Sequence, residues 1–136
     1  MLFSALARAF LRGVVLVNRI YMRMYRIPRL YSREANIRFR REPWQAKGLE
    51  EFATCLTVLR RGWGDCDDLA PYRVAELQEA GDPDADLRIY WRRDDDGVPK
   101  IFHVQVRHGN GQIEDPSRYL GMPGAGPPRP LRSRRR

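Results

Sequence analysis

The sequence predicts an α+β domain in which a cysteine-bearing helix packs on a small antiparallel sheet, behind an N-terminal amphipathic helix. Three patterns carry this reading. Apolar residues recur at helical spacing over residues 1–26 and again on both sides of "RRGWGD". From residue 87 onward they alternate as in strands, and clusters of Gly, Pro, Asp and Asn separate the segments.

In residues 1–26, Phe3, Leu6, Phe10, Val14, Val17, Tyr21 and Met24 recur at steps of three and four, which predicts one apolar stripe along an amphipathic helix. Arg8, Arg12, Arg19, Arg23 and Arg26 gather on the opposite side, and Pro28 ends the pattern, so the helical segment is assigned to residues 1–28. Arginines interrupt the stretch well before the roughly 20 apolar residues of a transmembrane span accumulate. A cleavable signal peptide also fits poorly, because the apolar run "GVVLV" is short and no clear small-residue cleavage site follows. Three roles stay open for this helix: packing on its own domain, docking a partner or oligomer, or lying on a membrane surface.

Residues 29–120 form the predicted domain. "ANIRFRREPW" alternates briefly until Pro43 interrupts it, predicting a short strand or loop. Leu49, Phe52, Ala53, Leu56 and Leu59 then restore helical spacing, which puts Cys55 inside a packed helix as an inert buried thiol. "CDDLAPYRVAELQEAG" continues as a second helix stopped by Gly81. "LRIYWR" and "KIFHVQVRH", joined by "RDDDGVP", read as a hairpin with Ile101, His103, Gln105 and Arg107 on one face and Phe102, Val104 and Val106 on the other. "HGNG" turns the chain into a short last strand, "QIEDPS". Residues 121–136 hold too few apolar side chains to pack and read as a flexible basic tail.

Composition narrows the classes of function. The 136 residues suit one domain, and 43% hydrophobic with 31% charged residues is ordinary for a globular one. A net charge of +8 suits an acidic partner, but no module for reading bases is visible. Nucleic acid would therefore meet only the basic termini, through non-specific phosphate contacts. Cys55 and Cys66 are the only cysteines, which argues against a disulfide scaffold and excludes a four-cysteine zinc site. A mixed metal site from Cys66, Asp68, His103 and His108 or Asp115 would follow no zinc spacing, so neither metal nor cofactor is expected.

Cys66 stands where a loop becomes a helix, and a thiol becomes nucleophilic as the thiolate, helped by a helix N-terminus and a nearby imidazole. Asp65 is a candidate N-cap. His103 interrupts an apolar strand, and Asp115 follows one turn later, a separation that lets neighbouring antiparallel strands set the two side by side. Cysteine, base and orienting carboxylate are what covalent acyl chemistry requires.

"GDCDDLA", "FHVQV" and "EDPS", in that order, resemble the three motifs of the transglutaminase-like superfamily, in the short form often encoded by bacteriophage and prophage genomes. The resemblance covers residues 37–120, with "IRFRREPW" as the lead-in to the cysteine helix. It implies a papain-like fold with Cys66 as nucleophile, His103 as general base and acid, and Asp115 holding the imidazole tautomer.

Departures from the family pattern carry expectations of their own. Pro71, five residues after Cys66, predicts a helix that starts late or kinks. Gln105 stands where the family commonly has an aromatic residue. Asp65, Asp67 and Asp68 would raise the thiol pKa unless they point away or pair with arginines. For an oxyanion hole the candidates are the Cys66 backbone N–H and, from the preceding loop, the Trp44 indole or the Gln45 side chain. Trp63 either lines a substrate groove or caps the core, and His108 reads as a solvated loop histidine.

The resemblance implies a cysteine peptidase or amidase that passes an acyl group from a Cys66 thioester to water or an amine, acting on a peptide or protein, cell-wall peptide included. The alternative is a non-catalytic phage virion or assembly protein that keeps the fold and docks on phage structural proteins through residues 1–26 and 121–136. Either places the chain in the bacterial host cytoplasm or the virion.

Overall fold

The computed structural model describes residues 2–41, 53–93 and 99–122, with backbone alone for 2–4, 90–93 and 99–102. They form a mixed helix-and-sheet, α+β structure. Helix α1 (Leu2–Met24) leads into a loop and strand β1 (Arg38–Phe39). Helix α2 (Cys55–Arg61), strand β2 (Trp63–Gly64) and helix α3 (Cys66–Glu79) follow in close succession. Strands β3 (Asp86–Arg93), β4 (Pro99–Arg107) and β5 (Ile113–Glu114) precede a final turn of helix, α4 (Pro116–Tyr119).

Two sheets result. β1 and β2 pair in parallel, Arg38 with Trp63, while β3, β4 and β5 form an antiparallel sheet in that order. Its register sets Tyr90 opposite His103, Leu87 opposite Val106, and Val106 opposite Glu114.

Helix α3 is the centre of the fold. Cys66, Ala70 and Val74 share a cluster with Leu11 and Val15 of α1 and Leu87, Val104 and Val106 of the sheet. Leu69 and Tyr72 join a second cluster with Leu30, Ile37, Cys55 and Val58. A helix that serves two cores must be buried nearly all round, and every residue from Cys66 to Tyr72 is buried.

The corner before α3 is tight. Gly62 closes α2 at φ 78, donating its N–H to the Val58 carbonyl at 2.8 Å. At Gly64 an added Cβ would stand 2.8 Å from Leu69 Cδ2 and 3.2 Å from Asp68 Cβ, so a side chain there would force the buried Leu69 to shift. Asp68 fastens this corner. Its Oδ2 accepts from Arg61 Nη2 at 2.7 Å and from the Asp65 N–H at 3.1 Å, and its Oδ1 accepts from the Ala53 N–H at 3.1 Å. Asp65 and Asp68 cap reciprocally, a capping box.

That box explains why Pro71 does not delay the helix. α3 begins at Cys66 with Pro71 inside it. The cap holds the first turn, and the proline removes only the bond its nitrogen would have given to the Asp67 carbonyl.

α1 covers most of the expected segment but is turned by about a quarter turn from the expected stripe, of which Val14 is buried and Tyr21 packs on the second cluster. Its buried side chains are Leu11, Val14, Val15 and Asn18, while Leu6 and Met24 of the expected stripe are 60% and 64% exposed. The arginine side meets the domain: Arg12 Nη2 lies 2.6 Å from Asp86 Oδ2, and Arg19 Nε 2.6 Å from Glu79 Oε1. Partly exposed pairs like these contribute about 0–1 kcal/mol each, so packing of Leu11 and Val15, at about 1.5–3 kcal/mol each, weighs more. Asn18 fixes the rotation. Its Oδ1 accepts the Cys55 N–H at 2.8 Å, doing what the Thr54 side chain does not do at the start of α2. Turning the expected stripe inward would strand that buried donor, at about 1–3 kcal/mol, and part Asp86 and Glu79 from their cations.

No helix among the described residues is long and apolar enough to cross a membrane. Residues 49–52 of the expected cysteine-55 helix lie outside the described residues, as does the expected tail from residue 123 onward.

Replacing the fully buried Asp68 with Ala leaves Arg61 without its partner and two backbone donors without their acceptor. Asp68→Ala is expected to destabilise the protein by about 3 kcal/mol or more, read as a lower urea midpoint. Leu6→Ala, on the open side of α1, should move that midpoint little.

Candidate functional site

Cys66 is the first residue of α3, 7% exposed, within the cluster that contains Val104. Its N–H donates to Asp65 Oδ1 at 2.6 Å. The donor proposed for an oxyanion hole is therefore held by a carboxylate in this structure.

The acidic run around the thiol is partly answered by arginine. Arg61 pairs with Asp68, and its guanidinium lies 3.7 Å from the centroid of the Trp63 ring. Arg40 sits over the same ring at 5.0 Å. Trp63 thus serves as a platform for two cations beside the helix start, a role neither expectation for it included.

His103 and Asp115 meet directly. His103 Nε2 lies 2.7 Å from Asp115 Oδ2, with both side chains nearly buried. Gln105 Nε2 donates to the same oxygen at 3.1 Å, and the Arg118 N–H donates to Oδ1 at 3.3 Å. Burial pushes the Asp115 carboxyl up, but the bond and charge of His103, with Gln105 and the Arg118 N–H, hold it below the usual carboxylate range. Asp115 is also the N-cap of α4, and Pro116 at the first helical position makes that turn rigid. Gln105 is thus a second side-chain donor to the Asp115 carboxylate.

Strand alternation assigns the sides. Val104 and Val106 lie in the core cluster with α1 and α3, and His103 and Gln105 alternate with them along β4. Cys66 connects to this strand through its packing cluster with Val104, the residue next to His103. Trp44 and Gln45 lie outside the described residues.

His108 differs from expectation. It is not a solvated loop side chain: its Nε2 lies 3.0 Å from Glu114 Oε1, and its ring is mostly buried. Glu114 also accepts from the Tyr31 hydroxyl at 2.6 Å and from Arg73 Nε at 2.7 Å. Burial pushes its carboxyl up, yet Arg73, Tyr31 and His108 hold it low. Tyr31, Arg73, Glu76, His108 and Glu114 form a polar cluster that the sequence reading missed. The signal was the pair "ED": Glu114 ends β5 and bonds Arg73 of α3, while Asp115, the N-cap of α4, meets His103. Among the described residues no group of three or more His, Cys, Asp or Glu side chains is placed to hold a metal ion.

Compared with family models, curated proteins and solved structures, the chain matches none.

Glu76, in the polar cluster, accepts the Leu30 N–H at 3.2 Å. Burial pushes its carboxyl up to about 7 from the ordinary 4.5, with Arg73, the Leu30 N–H and Arg29 pulling the other way. Between these values the fold keeps a proton that the unfolded chain has released, so this contribution is complete below about pH 4.5 and is lost as pH rises through about 7. Glu76→Gln removes it. The variant's unfolding free energy relative to wild type should rise between pH 5 and pH 8 by on the order of 1 kcal/mol, measured by urea titration at each pH.

Proposed function

We propose that the protein is a transglutaminase-like cysteine hydrolase with a papain-like core, cleaving or transferring an amide acyl group through a thioester on Cys66. The observation that carries this reading is the buried 2.7 Å contact between His103 Nε2 and Asp115 Oδ2; the cysteine at the head of α3 packs with Val104, whose side chain alternates with that of His103 along β4.

The chemistry follows from which nitrogen is taken. With Nε2 bonded to Asp115, Nδ1 of His103 is the nitrogen that accepts the thiol proton. The thiolate adds to the amide carbonyl carbon, and the resulting imidazolium gives its proton to the departing amine. The C–N bond breaks, and the acyl group stays on sulfur. Water, or a second amine, then adds to the thioester with His103 as base and releases Cys66. Asp115 keeps the ring oriented and stabilises its charged form, helped by Gln105. A peptide or isopeptide amide suits so small a domain better than protein crosslinking, which requires a surface that admits an amine while excluding water. Resemblance to the phage and prophage form makes cell-wall peptide a candidate substrate, and phage structural proteins candidate partners of residues 1–26 and 121–136.

A second reading has its own support. Reactive cysteines are as a rule partly exposed and in electropositive surroundings, whereas Cys66 is buried in an apolar cluster. A non-catalytic assembly protein that keeps this fold and docks through its basic ends fits that observation.

Alkylation separates the two. Burial pushes the Cys55 thiol up to about 11, so Cys55 contributes little to labelling near neutral pH. In the enzyme, iodoacetamide labels Cys66 with a midpoint well below the free-thiol value of about 8.5. His103→Ala slows labelling at pH 7 by about tenfold or more, and a nitrophenyl ester leaves an acyl adduct on Cys66 in the mass spectrum. An ordinary thiol titration, indifferent to His103, would sink the hydrolase and leave the assembly protein.

A further inference from the structure

Six of the eight large apolar side chains exposed among the described residues lie on α1: Leu6, Phe10, Leu16, Val17, Ile20 and Met24. At about 100° per residue they fall, with Ala9 and Gly13, into one arc about 120° wide that contains no charged residue. At Gly13 a Cβ would meet nothing within 4 Å, so the surface is open at its middle. Contiguous apolar faces of this kind mark interaction sites, unlike single exposed residues.

Charge selects the partner. Residues 1–33 carry seven arginines and no acidic residue, and residues 121–136 carry five arginines and none. Arg12 and Arg23 line one border of the apolar arc, braced by Asp86 and Glu79. In a second copy of this helix the arginine border would find no acid to face. Anionic lipid headgroups can face the open edges of that border, where the Arg12 and Arg23 side chains stay 55% and 67% exposed beside Asp86 and Glu79, and the acyl boundary beneath them takes the apolar arc.

The geometry points to an anionic lipid bilayer as the partner of α1, with the helix lying in the plane of the interface. Leu6, Phe10, Val17 and Ile20 enter the acyl boundary while Arg12, Arg23 and Arg26 sit among the headgroups. The opposite face of α1 is occupied by Leu11 and Val15 in the core, so the folded domain rides on top of the helix. This placement is independent of the chemistry at Cys66.

Flotation of the full chain with vesicles of phosphatidylcholine and phosphatidylglycerol in equal parts, beside vesicles of phosphatidylcholine alone, tests it. The wild type should float with the mixed vesicles at low salt and at least about tenfold less with the neutral ones. Leu16→Glu combined with Ile20→Glu should lower flotation by about a hundredfold with wild-type thermal unfolding, because these side chains are already 58% and 55% exposed. Leu6→Ser with Met24→Ser gives the same readout by a gentler change. Wild-type protein that ignores the mixed vesicles, or flotation that ignores both pairs of substitutions, overturns the proposal. So does a dimer in solution that the substitutions dissolve without any vesicle binding, which assigns the face to a second copy.

Discussion

Asp68 is the side chain on which the rest of the structure depends. One carboxylate receives Ala53 before α2, Arg61 at its end, and Asp65 at the cap of α3. Burying a carboxylate with no exposure costs several kcal/mol unless its lone pairs are met. Here they are met from three directions within sixteen residues of chain. The result is a corner stiff enough to seat Gly64 against Leu69 and to start α3 at Cys66 despite Pro71. Whatever Cys66 does, Asp68 determines where it stands.

The central helix and the hairpin were legible because their signals are local. Period-two alternation in "KIFHVQVRH" separates Val104 and Val106 from His103 and Gln105, and the strand β4 spans Pro99–Arg107. Asp65 as the cap of α3 was legible for the same reason, since capping is decided within one turn. The facing of α1 was not. A moment over residues 1–26 finds the widest apolar arc, but a helix turns toward the partners it meets, and Asp86, Glu79 and the Cys55 N–H lie 37 to 74 residues away in the chain. Long-range polar demands of that kind leave no periodicity in the helix itself.

The site divides along the same line. His103 and Asp115, twelve residues apart on one hairpin, meet because the β4–β5 turn sets their distance. The cluster around Glu114 was hidden because it joins Tyr31, Arg73 and His108 from three separate segments. Hairpin geometry fixes pairs, whereas clusters of this kind need the whole fold.

The two cysteines show which effect must win for chemistry to occur. Burial pushes the Cys55 thiol up to about 11, and its place at the first position of α2 does not prevent this. A helix end is worth about 0.3–1 kcal/mol, less than one pKa unit at about 1.4 kcal/mol, so the dipole of α2 does not bring the Cys55 thiol back down. The arginines stacked on Trp63 are already engaged, Arg61 with Asp68. His103 and Asp115, buried together with Nε2 and Oδ2 2.7 Å apart, are the pair on which the proposed chemistry can draw. On the proposed reading, the reactivity of Cys66 would rest on the His103–Asp115 pair more than on the helix it begins.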